Sequence, residues 1–302
     1  MKKNPVSFFP AAAVLILTAL ILVYPSQCIS YAFSGLNLWF QKMIPTLFPF
    51  MVLSGIMIRM NLTKTFVRLL RPVLSPIFRV NSNCLYVIVV GFLCGFPMGA
   101  HVTAQLYERQ QITRQEAGFL LSFCNNIGPV YFLSFALPTL GITGPPFLFL
   151  LGMYGLPLFY GVFLRYTIYA HKLRISDSFL TSESSVSFLQ ALDESVMSSL
   201  TGITKLGGYM IVFNLLNVLP SLLFNNGTIN AVISCLLEIT GGLKVLGNNM
   251  PFAGLCLISF GGLSCLAQTY GMIKDTDLSL KNYTIHRMIL TAVSVIYYVT
   301  LI

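Results

Sequence analysis

Apolar residues gather into long runs along the chain, at about 8 to 26, 36 to 58, 85 to 106, 117 to 138, 147 to 170, 203 to 224, 231 to 246, 251 to 271 and 285 to 302. About 20 apolar residues in a helix span the hydrocarbon of a bilayer, so most of these runs are long enough to cross. The pattern predicts an all-α polytopic membrane protein. Two runs are irregular. Residues 85 to 106 are interrupted near their midpoint by GFPMG, and 231 to 246 is short and carries Gly241 and Gly242. A broken helix at membrane depth is tolerated only where it is buried in protein or lines a water-filled cavity. Both irregular runs therefore raise the question of a transport site.

Composition agrees with the pattern. The chain has 302 residues, 56% of them hydrophobic and 9% charged, with a mean hydropathy of +0.79, which excludes a soluble globular domain and a disordered chain. The formal net charge of +9 reports orientation and contact with anionic lipid. Nucleic acid is not expected as a partner, because no basic stretch is interleaved with exposed aromatics. Seven scattered cysteines and three separated histidines make no metal or disulfide framework, so no cofactor is expected. Lys2 and Lys3 precede an apolar run too long for a signal core, and PSQC is a poor cleavage site, so residues 1–30 are read as a retained transmembrane helix.

Loop charges set the orientation. Arg59, Lys64, Arg68, Arg71 and Arg79, and then Arg165, Lys172 and Arg174, mark cytoplasmic loops, whereas residues 27–35, 139–146 and 225–230 lack Lys and Arg and belong outside. Arg109 and Arg114 directly follow the GFPMG run. With both of its ends cytoplasmic, 85–106 must enter, turn and leave as a re-entrant hairpin. Thr113 and Glu116 have capping-box spacing for the next helix. This scheme leaves Lys274, Lys281 and Arg287 outside, against the charge rule.

The chain also repeats itself. A shift of 163 positions lays Gly91 on Gly254, Gly99 on Gly262, Ala104 and Gln105 on Ala267 and Gln268, and Lys42 on Lys205. The intervening crossings make the copies antiparallel. Residues 31–140 form the first repeat with its hairpin at 85–106, 141–187 a linking helix and cytoplasmic loop, and 188–302 the second, inverted repeat. Inverted repeats with breaks in corresponding positions point to a transporter with a midplane site.

The run GFPMGAHVTAQLYERQQITRQEAGFLLSFCNNIGPVYF resembles the signature of the YlbJ-type sporulation integral membrane proteins, which carry the nucleoside-recognition, or Gate, domain. ALDESVMSSLTGITKLGGYMIVFNLL and LLEITGGL extend the resemblance to roughly residues 35–300. It implies an architecture similar to concentrative nucleoside transporters, a bacterial cell membrane or the membrane around the forespore, and a role in moving dipicolinic acid. By position it marks Gly95, Pro97, Gly99 and Ala100, then Asn125, Asn126, Gly128 and Pro129, and Glu238 with Gly241. His101 stands where relatives often have lysine, and Gly241–Gly242 where Asn-Gly is common.

The candidate substrate-binding residues are Gly95, Pro97, Gly99, His101, Asn125, Asn126, Glu238, Gly262 and Ser264. Glycines beside Pro97 permit a sharp turn whose half-helix end attracts carboxylates; they fit equally a kinked helix packed closely on a neighbour. Asn125 and Asn126 offer donors and acceptors to a ligand or to another helix. Glu238 is an intramembrane carboxylate, of the kind that marks ion pathways, or else a wet carboxylate at a helix end. Lys42 and Lys205 face an anion or snorkel to the interface. His101 pairs with an anion or packs, while Asp193 and Glu194 form an interfacial face. No nucleophile, phosphate loop or metal motif appears, so no enzyme is expected.

The expected function is transport of a small anionic or heterocyclic metabolite, dipicolinate-like or nucleoside-like, during sporulation. The alternative is a Gate-domain scaffold or sporulation assembly factor that does not transport. The expected partners are a small-molecule substrate and membrane lipid, with room for a coupling ion and a homo-oligomer.

Overall fold

The computed structural model describes residues 8–173 and 186–301, so Lys2, Lys3 and Arg174 lie outside the described residues. Helices α1 (Phe8–Val23) and α2 (Pro25–Arg59) open the fold, with Pro25 at the start of α2, where its missing N–H costs no helical bond. Two short helices, α3 (Thr63–Val67) and α4 (Arg71–Phe78), carry the basic loop. Then come α5 (Ser82–Cys94), α6 (Met98–Glu108), α7 (Arg114–Leu121), α8 (Pro129–Thr139) and α9 (Pro146–Tyr166). The second half contains α10 (Phe188–Leu223), α11 (Gly227–Leu237), α12 (Ile239–Leu246), α13 (Pro251–Phe260), α14 (Gly262–Ile273) and α15 (Leu280–Leu301). There is no strand among the described residues. This is a multi-pass membrane protein: α2, α9, α10, the α13–α14 pair and α15 are each long and apolar enough to cross.

Hydrogen bonds fix which helix ends lie together. Asn83 Nδ2 donates to the Gln111 carbonyl at 3.1 Å and Asn81 Nδ2 to Glu116 at 2.8 Å, so the start of α5 meets the end of α6 and the start of α7. Arg165 Nε, at the end of α9, donates to the Phe78 carbonyl at 2.7 Å. Arg59 pairs with Glu194 at 3.0 Å, and Arg114 with Asp277 at 2.9 Å. All of these groups occupy one end of the bundle. At the other end Asn248 packs on Gly141, and Tyr297 and Tyr298 donate to the Leu148 and Phe149 carbonyls at 2.9 and 3.3 Å. The Thr113–Glu116 capping box forms as expected.

The first end gathers Arg59, Arg79, Arg109, Arg114 and Arg165, and is the cytoplasmic one by the charge rule. Because Asp277 is bound to Arg114, the loop containing Lys274 lies at this same end, not outside as the loop count required. The charge anomaly disappears. A second expectation also changes. The 163-position shift matches 85–106 with a broken run ending near 271, but α13–α14 passes from the Asn248 end to the Asp277 end and so crosses. The chain of the second half that turns back on itself is α11–α12, where Gly242 is packed against Cys235.

Helix α5 is apolar all round because it is buried all round: every residue from Cys84 to Gly91 is enclosed. Its partner α6 returns alongside it. The turn is closed by the Met98 N–H donating to the Gly95 carbonyl at 2.8 Å, across a cis Phe96–Pro97 peptide bond. Gly91 on α5 and Gly99 on α6 both press on the Cys124 carbonyl, where a Cβ on either would collide. With little hydrophobic drive between helices in lipid, such close approach of small residues is what holds them.

Single cysteines at Arg79, Gln110 and Asp275, in a protein without native cysteines, are expected to react with an impermeant maleimide from one side of sealed vesicles. Cysteines at Thr143 and Asn248 should react from the other. Opposite sidedness of Arg79 and Gln110 would make the α5–α6 pair a crossing and refute the arrangement.

Candidate functional site

Four interruptions of helix meet inside the bundle. The first is the turn at Gly95–Pro97; the second is the unwound stretch 122–128; the third is Glu238, between α11 and α12; the fourth is Gly261, between α13 and α14. Gly95, at φ +83°, faces Gly128, and Gly261 faces the Phe96 ring at 3.2 Å from where its Cβ would stand. Gly262, at φ +79°, abuts the Cys235 carbonyl at 3.0 Å by the same measure. Left-handed backbone of this kind favours glycine.

Breaking a helix in a membrane frees backbone groups that must find partners. Here one break answers another, one is capped locally, and one is met by a neighbouring helix. The Ala100 N–H, in the first turn of α6, donates to Asn125 Oδ1 at 3.3 Å. Glu238 caps α12, accepting from the Thr240 and Gly241 N–H groups at 3.1 and 2.6 Å. Tyr154 donates to the Ile127 carbonyl at 3.0 Å.

At the centre is a residue that the sequence reading placed only as a misfit loop charge. Arg287 lies on α15, seven residues from its start and thus about 11 Å along it, and is 3% exposed. Nη1 donates to Asn126 Oδ1 at 2.9 Å and Nη2 to the Ser259 carbonyl at 2.7 Å. The guanidinium stands 4.8 Å from the centre of the Phe96 ring, a cation–π distance. Its Nε is buried without a hydrogen-bond partner. No carboxylate forms a salt bridge with it among the described residues. Three of the four breaks therefore converge on one uncompensated cation, through Phe96, Asn126 and Ser259. The signal in the sequence was an arginine within an apolar run, legible once the run is taken as a crossing that starts in the cytoplasm.

The candidate residues divide by place. Gly95, Pro97 and Gly99 build the first turn, and Gly262 the fourth break. Asn126 holds Arg287, whereas Asn125 is spent on structure, with Nδ2 donating to Thr269 at 3.0 Å and Tyr283 at 3.2 Å. Glu238 reaches a cavity of about 200 Å³ that Phe96, Tyr131 and Gln268 also line. Ser264 accepts from Gln268 of its own helix at 2.9 Å. His101 stands apart, in a second cavity of about 350 Å³ with Arg59, Arg109 and Lys205. Among the described residues no three His, Cys, Asp or Glu side chains gather as a metal site.

Residues 40–145 match the family model described as Gate, nucleoside recognition. That stretch holds the α5–α6 turn and the Asn125–Asn126 break. The chain is also 26% identical to the sporulation integral membrane protein YlbJ of Bacillus subtilis, over 92% of this chain and 78% of that one. The resemblance carried by the GFPMG run is thus borne out. No solved structure matches the chain.

Gly95→Ala and Gly99→Ala are each expected to lower stability by about 1–3 kcal/mol, since their Cβ atoms meet rigid backbone. Gly208→Ala, with open space at the same position, should be neutral or slightly stabilising. Thermal unfolding in detergent measures all three; equal midpoints would deny that the turn is held by close packing.

Proposed function

We propose that the chain is a membrane carrier for a small organic anion, dipicolinate-like in being a compact carboxylate, and that Arg287 receives it where the breaks converge. The observation that carries this reading is the uncompensated guanidinium with its free Nε. An arginine at membrane depth costs about 2.5–3.5 kcal/mol on insertion scales, and such residues mark substrate and ion pathways. Two neutral acceptors offset part of that cost. A carboxylate would offset more, through charge-assisted bonds. An uncharged nucleoside would not, so the cation favours the anionic class of substrate over the nucleoside-like one.

The order of elements supports a carrier. In the first half a crossing (α2) is followed by a turn-back pair entering from the cytoplasmic end (α5–α6), an interrupted crossing (α7–α8) and a crossing (α9). In the second half α10, α11–α12, α13–α14 and α15 follow the same order, with the turn-back pair entering from the opposite end. Such inversion around a central site suits alternating access by rearrangement of one half against the other. The name of the YlbJ relative carries the reading to sporulation.

Uptake of labelled dipicolinate and labelled uridine into vesicles containing the purified protein tests the proposal. Dipicolinate uptake should saturate; Arg287→Gln should lower it at least tenfold, and Arg287→Lys should retain part of it. Uridine uptake without dipicolinate uptake would identify a nucleoside carrier. Neither uptake, with folded protein, would favour the scaffold.

A further inference from the structure

Two cavities open in the bundle, one sharing Phe96 with the convergence site and one nearer the cytoplasmic end, and each is approached by a lysine that no interaction described so far explains. The larger lies towards the cytoplasmic end, between α6, α10 and α14, and takes in Lys205. The smaller lies between α2, α8 and the Glu238 break, and takes in Lys42. These walls are built from equivalent pieces of the two halves: the long first crossing, the turn-back pair, and the second limb of the interrupted crossing. Lys42 and Lys205 are themselves 163 positions apart, the spacing at which the first crossings match.

Neither lysine fits a snorkelling role. Lys205 stands eleven residues beyond Glu194, whose pairing with Arg59 marks the cytoplasmic end, and so about 16 Å further along α10. A four-carbon stem cannot carry the ammonium back over that distance. Lys42 lies at the middle of the 35-residue α2, in a π-helical turn at Trp39–Met43, an irregularity frequent at functional sites. No salt bridge to either lysine forms among the described residues.

The surrounding groups leave each lysine without an ion-pair partner among the described residues. In the larger cavity, Arg59 is neutralised by Glu194, and Asp275 lies 3.9 Å from Lys274. Arg109 stands beside Glu108, which leaves Lys205 as the excess positive charge. Buried His101 Nε2 and Gln105 Oε1 there have no hydrogen-bond partner. His101 is 8% exposed and forms the floor of this recess, whose rim of Glu108, Arg109, Thr201, Lys205 and Asp275 is exposed. In the smaller cavity Glu238 is occupied with capping α12, and the buried Tyr131 hydroxyl is without a partner. Buried Leu47 and Leu206 wall the smaller cavity and buried Met51 packs on Gly202 of the larger one, an apolar partition between them.

We infer that Lys42 and Lys205 are equivalent anion-attracting residues, one in each half-path, that bring a small carboxylate to Arg287 from opposite sides of the apolar partition. This deepens the carrier reading and rests on it. It also separates experimentally, because attraction of anions into the cavities is measured without transport.

In protein lacking native cysteines, single cysteines replace Thr201, one turn from Lys205, and Thr46, one turn from Lys42. Each is modified by anionic sulfonatoethyl and by cationic trimethylammonioethyl methanethiosulfonate, with rates normalised to a free thiol. The anionic-to-cationic ratio should exceed that of an exposed cysteine at Asn248 at least fivefold at both positions, and sodium malonate should slow both reactions where malonamide does not. Lys205→Gln should remove the preference at position 201 alone, and Lys42→Gln at position 46 alone. Ratios equal to the Asn248 reference, failure of both reagents to react, or ratios indifferent to the lysines would overturn the inference. A preference that persists while Arg287→Gln leaves uptake unchanged would keep the anion-attracting lysines and reject Arg287 as the receiving site.

Discussion

A helix broken inside a membrane leaves N–H and C=O groups that water cannot reach, and this structure depends on how four such breaks satisfy one another. The Asn125 carboxamide accepts from the first turn of α6. Glu238 holds the start of α12, and Arg287 takes the Ser259 carbonyl freed near Gly261. The Glu238 break is met within its own segment, whereas the others draw on partners elsewhere in the chain. The turn at Gly95–Pro97 is therefore stable only when 122–128 is unwound beside it, and the Gly261 break only when α15 brings Arg287. Cooperation of this kind joins residues more than 100 positions apart into one polar centre within an apolar bundle.

The same constraint explains why so much of the first turn was legible and so little of the second. GFPMG interrupts a run that is otherwise unbroken, and arginines flank it, so the pattern points to a return at that place. Glycine is demanded both by a turn-back and by an interruption in a crossing, however, for it serves left-handed backbone and close approach alike. A similarity of small residues between Gly99 and Gly262 therefore pairs two breaks of different kinds: one lies in a hairpin, the other in a crossing. Lys42 and Lys205, which that shift relates, each stand 17 residues past the first residue of their long helix, α2 and α10. Arg287 was missed for a related reason. A loop count that puts α15's start outside makes it an orientation error, whereas the Arg114–Asp277 pair makes it an intramembrane cation.

Burial separates the candidate residues more sharply than residue type does. Asn125 and Asn126 are adjacent and chemically identical, yet one is consumed in joining α6, α14 and α15 and the other orients Arg287. Glu238 had the strongest claim to a ligand role by its charge. Both of its oxygens are engaged by backbone N–H groups, which makes it first a helix cap that a cavity touches and only then a group available to a ligand. His101 belongs to a recess towards the cytoplasm, apart from the central site.

Charge then decides what such a centre can hold. With Glu238 engaged at the α12 N-terminus, the half-charge of that helix end is already answered, and Arg287 has only neutral partners. Arg287 has no salt bridge to a carboxylate among the described residues, while Glu238 sets one opposite charge at the neighbouring break. On the carrier reading proposed above, an anion would meet Lys205, Arg287 and Lys42 as successive cationic groups. Buried Leu47, Met51 and Leu206 stand between the two cavities, as apolar side chains and not polar ones. Were the chain to carry such an anion, as proposed, the helices bearing Lys42 and Lys205 would have to change their packing, and the small residues that let those helices approach closely, Gly35 on Met210 and Gly202 on Met51, lie on that same interface.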